Sequence, residues 1–318
     1  MQAALHALTD ELRRLKSAGV KSVAVSDESL AVLRKILAGR AGPAAAPAKA
    51  AGGVSPTKPP PRDEQPRGGS APADVDTPAA TPAAPIAPPA PAPAIPPPTP
   101  FVLPEGDKLT RMAALRERVM SDAVCCAHVR PGKKVVLGVG TLDARIMFVG
   151  EAPGAEEELQ GEPFVGPAGQ LLTKMIGAMG LKRSDVYIGN IMNWRPEMPL
   201  NASGVQYGNR PPTDEEMRYC LPYLRAQIEV VNPELLVALG STAAQGLLGA
   251  GSFKALGEVR GKWKEFAGKP LMVTYHPSYI LRNQSNRSKR MIWEDLLKVM
   301  ERAGLPISEK QQAYFLDK

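Results

Sequence analysis

Three polar constellations stand out along the chain, each at the end of a short apolar run. The first is Gly150-Glu151-Ala152-Pro153-Gly154-Ala155-Glu156-Glu157-Glu158, closed by Gly161-Glu162-Pro163-Phe164-Val165-Gly166. Glycines around a carboxylate cluster let backbone amides approach a ligand while the acids face it. The same residues also suit a tight turn with solvated glutamates. The second constellation is Asn190, followed by Asn193-Trp194-Arg195-Pro196. An asparagine at a strand's end can present a donor and an acceptor to one planar, amide-like edge, or it can brace a turn. The third is Tyr275-His276-Pro277-Ser278, continuing through Leu281, Arg282 and Asn283. A lone histidine is usually structural. One at a strand's end, ahead of a proline turn, is well placed for hydrogen-bond or proton chemistry.

These residues need elements to hold them, and residues 101–318 alternate strand and helix signals as an α/β sandwich does. Arg145 to Val149 reads as a buried strand, followed by a loop and a helix through Leu171, Leu172 and Met175. Val186 to Ile188 is a second strand, ending at Asn190. Leu235 to Leu239 and Leu271 to Tyr275 are a third and a fourth. Thr213 begins a helix, with Glu216 as its capping-box partner. In open parallel sheets ligands bind at the strands' carboxyl ends, where all three constellations fall. No Gly-x-Gly-x-x-Gly follows the first strand, which argues against a dinucleotide site.

The rest of the chain is different in kind. Residues 41–100 hold 19 of the 33 prolines, no Leu and no aromatic residue, and their charges balance. Such a segment buries too little apolar area to offset chain entropy and is expected to be a disordered linker. Residues 1–40 show Leu5, Leu8, Leu12 and Leu15 at helical spacing, then Leu30, Leu33 and Leu37. About 40 residues rarely close a core alone, so a small helical element that docks a protein partner is expected, or else a loosely folded extension. The chain carries a formal charge of +7, of which +4 falls in residues 101–318. That excess is compatible with a polyanionic partner without demanding one. Three cysteines, two of them adjacent, make a disulfide framework implausible. With no export signal and no apolar run near the ~20 residues needed to span a bilayer, an intracellular protein is expected.

Taken together, the Gly-Glu-Ala-Pro-Gly loop, the element Pro163-Phe164-Val165-Gly166-Pro167-Ala168-Gly169-Gln170-Leu171-Leu172, the strand leading to Asn190, Leu239-Gly240 and the His276-Pro277-Ser278 loop resemble family-4 uracil-DNA glycosylases, from about Gly138 to Val299. The resemblance implies a three-layer αβα sandwich with a central four-stranded parallel sheet. It also implies a DNA-repair hydrolase that cuts the N-glycosidic bond of uracil in DNA. By the same resemblance Phe164 stacks on the flipped uracil, Asn190 reads its N3 and O4 edge, and Ala152 borders the base. His276 donates to the base, Glu151 or Glu157 aligns the water, and Ser278, Leu281 and Arg282 contact DNA. A monomer, cytoplasmic and associated with the nucleoid, is expected, with no membrane contact.

The family usually holds a four-iron cluster on four cysteines. Aligned back from Val135-Val136-Leu137-Gly138, the second ligand falls on Cys126 and the fourth on Cys220, while the first and third positions carry Ala123 and Trp194. The expectation is therefore that Cys126 and Cys220 are remnants and that the protein has no metal and no cofactor. The stretch 197–210 is longer than expected, and would either replace part of the cluster's structural role or reshape the DNA groove. The rival to a glycosylase is a non-catalytic or differently specific DNA-repair scaffold built on the same fold.

Overall fold

The structure, a computed structural model, describes residues 95–201 and 204–316. The readings for residues 1–40 and for most of 41–100 lie outside the described residues. In chain order the elements are α1 (Lys108–Met120), α2 (Ala123–Ala127), β1 (Val139–Gly140), β2 (Ile146–Gly150), α3 (Ala155–Gln160), α4 (Pro167–Ala178), β3 (Tyr187–Asn190) and α5 (Asp214–Val231). There follow β4 (Leu235–Leu239), α6 (Ser241–Leu248), β5 (Trp263–Phe266), β6 (Lys269–Thr274), α7 (Pro277–Arg282), α8 (Asn286–Arg302) and α9 (Glu309–Gln312).

The strands form one sheet in the order β1-β3-β2-β4-β6-β5. The four expected strands are its parallel centre, paired β3 to β2, β2 to β4 and β4 to β6. Two strands that the sequence did not announce, β1 and β5, pair antiparallel at the two edges. The two residues of β1 are too few to show a period, and β5 (Trp-Lys-Glu-Phe) is polar at its centre. The central strands β2, β3 and β4 are buried along their whole length, the condition of a parallel strand covered on both faces. Their side chains split into two cores. Met147, Val149, Leu236, Ala238, Leu271 and Val273 pack with α1, α5 and α6. Ile146, Phe148, Ile188, Leu235, Val237 and Met272 pack with α4 and α8. This period-2 division makes a three-layer sandwich.

Helix α5 starts as expected. Thr213 Oγ1 accepts from the Glu216 backbone N–H at 3.2 Å, and Glu216 returns a carboxylate oxygen to the Thr213 N–H at 2.7 Å. Glu216 also takes both ends of the Arg210 guanidinium at 2.7 Å, so the helix start anchors the preceding loop. Short helix α3 occupies part of the first glycine-rich segment, where only a loop was expected; its Gly161 end is left-handed at φ 79°. The register Gly150↔Asn190 and Leu239↔Thr274 aligns the carboxyl ends of the central strands, so the loops after them open on one rim.

Candidate active site

A cleft of about 690 Å³ lies along that rim, and every residue expected to act in the site lines it: Glu151, Ala152, Glu157, Phe164, Asn190, His276, Ser278, Leu281 and Arg282. Residues 130 positions apart in sequence meet because β2, β3 and β6 end together.

Asn190, the last residue of β3, is 6% exposed and its Oδ1 has no hydrogen-bond partner. A buried polar atom left unpaired costs about 1–3 kcal/mol, so native proteins rarely leave one without a use. Phe164 is equally buried and holds φ at +54°, an uncommon backbone state for a bulky residue. Two glycines allow this arrangement. A Cβ on Gly150 would come within 2.4 Å of Asn190 Oδ1 and 2.5 Å of two Phe164 ring carbons. One on Gly169 would lie 1.8 Å from the Phe164 carbonyl oxygen. The loop is also braced from outside, where Arg183 donates to the Pro163 carbonyl at 2.6 Å.

The two candidate glutamates sit in different surroundings. Glu157 is buried, and its carboxylate accepts three backbone N–H groups: Gly154 at 3.0 Å, Val165 at 3.1 Å and Gly166 at 3.0 Å. It staples the first glycine-rich loop to the Phe164 loop. Glu151, directly after β2, makes no such bonds; burial raises its pKa, opposed by a hydrogen bond from Thr242. Thr242 was not among the expected site residues. Its one local signal was Gly240-Ser241-Thr242 at the end of the third strand.

His276 caps α7. Its Nδ1 accepts the Ser278 N–H at 3.2 Å and lies 2.9 Å from Ser278 Oγ. Burial, and secondarily the Arg282 charge, push its pKa down to about 4. The imidazole is therefore neutral at pH 7. With Nδ1 acting as acceptor, the ring hydrogen sits on Nε2. The ring lies 5.6 Å from that of Phe164, tilted by 32°. Ser278, expected on DNA, thus also holds His276, and Arg282 Nη1 reaches Ser278 Oγ at 3.3 Å.

Arg195, Pro196 and the segment Gly208, Asn209 and Arg210 complete the rim. Arg195, 7% exposed, binds Glu158 at 2.9 Å, Asn209 Oδ1 at 2.8 Å and the Gly208 carbonyl at 2.7 Å. Gly208, Asn209 and Arg210 face the cleft. The end of the longer stretch therefore lines the cleft.

Residues 137–297 match the Uracil DNA glycosylase superfamily. The chain is 43% identical over 188 residues to a Type-4 uracil-DNA glycosylase of Thermotoga maritima, covering 59% of this chain and 92% of that protein. It is 42% identical over 169 residues to one of Archaeoglobus fulgidus, covering 51% and 79%. A Type-5 uracil-DNA glycosylase of Pyrobaculum aerophilum is 32% identical over 175 residues, covering 52% and 73%.

These relatives correct the expectation of a cofactor-free protein. The first two are Type-4 proteins, the group to which the resemblance ascribes a four-iron cluster, so membership speaks against a cofactor-free protein. The side chains as folded do not make the family's four-thiolate cage. Cys125 and Cys220 are buried against each other, and that contact with burial raises the Cys125 pKa. Cys126 is exposed, with its Sγ 3.2 Å from the Met120 carbonyl. Trp194, at the third ligand position, is fully buried and stacks on His128 at 4.9 Å. Among the described residues no three of His, Cys, Asp and Glu converge on a metal position. The family match spans the entire cleft, with its four strand ends and their loops, and this chain belongs to the uracil DNA glycosylase superfamily.

Proposed function

We infer that this protein hydrolyses the N-glycosidic bond of uracil in DNA, the opening reaction of base-excision repair. The observation that carries the reading is the unpartnered Oδ1 of Asn190, buried beside Phe164 in the cleft. Uracil offers a donor at N3 and an acceptor at O4, complementary to the oxygen and nitrogen of one carboxamide. A base in a duplex must leave the stack to reach such a pocket. Phe164 stacks on it, Ala152 borders it, and Leu281, 40% exposed on the rim, fills the vacated space. Ser278 and Arg282 hold the neighbouring backbone.

As the bond between the sugar C1′ and base N1 breaks, its electron pair leaves with the base and positive charge grows on the sugar. The Nε2–H of His276 donates to the base O2 and stabilises the departing anion. Glu151 faces the sugar, stabilises the cation and aligns a water whose oxygen bonds to C1′. That water's proton ends on the released base or on solvent. The three backbone bonds to Glu157 support a positioning role for it.

Incubation with an oligonucleotide carrying one uracil tests the reading. Free uracil and an abasic strand are expected; tight binding without release would favour the scaffold reading instead. For the rest of the chain, we take residues 1–40 to dock a protein partner, the protein to be monomeric, and its DNA affinity to keep it at the nucleoid. Sedimentation of the full chain with and without DNA tests the monomer.

A further inference from the structure

A second groove, of about 650 Å³, lies at the C-terminal end of helix α3, whose N-terminal end lines the uracil cleft. Four cationic side chains line it, Arg116, Arg130, Lys133 and Lys134, against one carboxylate, Glu162. Nothing in the chemistry of base excision uses these residues. We propose that this groove binds the phosphodiester backbone of the DNA strand whose uracil occupies the cleft.

Three observations point to DNA. The first is supply of charge. Arg116 is exposed and has no hydrogen-bond or ion-pair partner among the described residues. Lys134 holds only the Gln160 carbonyl, at a long 3.3 Å. These cations remain free to neutralise phosphates, whereas structural cations of this fold are fully engaged, as Arg195 is with three partners.

The second is continuity with the cleft. Lys133 contacts Glu158 at 3.4 Å, and Glu158 binds Arg195 at 2.9 Å, which lines the cleft. Arg130 donates to the Met198 carbonyl at 2.8 Å, tying the groove to the stretch that supplies the cleft's rim. The third is spacing. The first turn of α3 faces the cleft and its last residue, Gln160, faces the groove. Six helical residues span about 9 Å, and a stacked strand advances about 3.4 Å per nucleotide, so the two openings lie roughly two to three nucleotides apart.

This proposal rests on reading the cleft as the uracil site, and the test separates the two. The full chain is titrated with a uracil-free single-stranded 20-mer across a salt series, as wild type and as the double variant Arg116→Gln/Lys134→Gln. Two lost phosphate contacts should lower the slope of log affinity against log salt by roughly 1.4, at about 0.7 per phosphate on single strands. Lys310→Gln on α9, outside the groove, should leave the slope as in wild type. An unchanged slope, or an equal fall with Lys310→Gln, would overturn the groove. Failure of the wild type to release uracil would instead remove the reading of the cleft, while the slope measurement on uracil-free DNA stands by itself.

Discussion

His276, Asn190 and Glu157 show how one cleft assigns different work to groups of similar polarity. His276 is held neutral by burial and oriented through Nδ1, which leaves Nε2–H as the ring's one donor. His276→Ala should slow uracil release by roughly 10²–10³-fold while DNA affinity changes little, because its bond strengthens as the base departs. A rate within threefold of wild type would remove it from the reaction. Its pKa of about 4, against an ordinary 6.5, means that release should show no inflection from His276 between about pH 6 and 8 and should fall as pH nears 4. The same shift has a sign for stability. The unfolded chain takes up this proton near 6.5 and the folded chain only near 4, so stability is lost as pH falls through that window. Asn190→Asp should weaken uracil excision and open some activity on cytosine, since a carboxylate accepts where the amide donated. Phe164→Ala should weaken binding of either base by about 1–3 kcal/mol without changing the preference. Assays on matched uracil- and cytosine-containing strands read both outcomes.

At the scale of elements, the pocket depends on two loops that hold each other. The Phe164 turn needs Gly169 beneath it and Glu157 beside it. Gly169→Ala sets a methyl group against a backbone carbonyl, a contact no rotamer relieves. It should abolish uracil release while the sheet and far-ultraviolet dichroism persist. Glu157→Gln tests the staple. A carboxamide cannot accept with both ends, so at least one loop N–H loses its partner, at about 1–3 kcal/mol. A lower midpoint in thermal unfolding together with slower release is expected. Slower release with an unchanged midpoint would instead make Glu157 a direct participant. Glu216 performs a comparable double task, capping α5 and holding Arg210 at the rim.

The whole molecule joins this domain to a long proline-rich segment, and the described residues show where the join matters. Ile95, Phe101 and Leu103 pack against the core with α1 and α5. The Phe101 ring lies 5.4 Å from that of Tyr223, and the Arg118 guanidinium sits 4.8 Å above it. Removing residues 1–94 should therefore leave excision on short oligonucleotides intact. Extending the deletion through residue 100 strips Ile95 from the core and should lower the unfolding midpoint further, with activity retained below it. A folded 95–318 fragment without activity would show that the upstream segment contributes to the site. Among the described residues no helix is long and apolar enough to cross a membrane.

The sequence by itself determined what depends on neighbours within a few positions. The four central strands, the Thr213–Glu216 cap and the order of the polar loops are written in runs, periods and i to i+3 pairs, and they survive intact in the fold. Family membership was legible for the same reason, since its motifs are contiguous. Sequence could not distinguish Glu151 from Glu157, because both are acids in one loop. Their difference comes from Thr242, and from the N–H groups of Val165 and Gly166, which only the folded sheet brings near. The edge strands stayed hidden because their residues carry no period and gain strand form only by pairing with neighbours already in place. The unpaired oxygen of Asn190 was equally out of reach. Whether a polar atom finds a partner is decided by everything packed around it, and packing is a property of the tertiary structure alone.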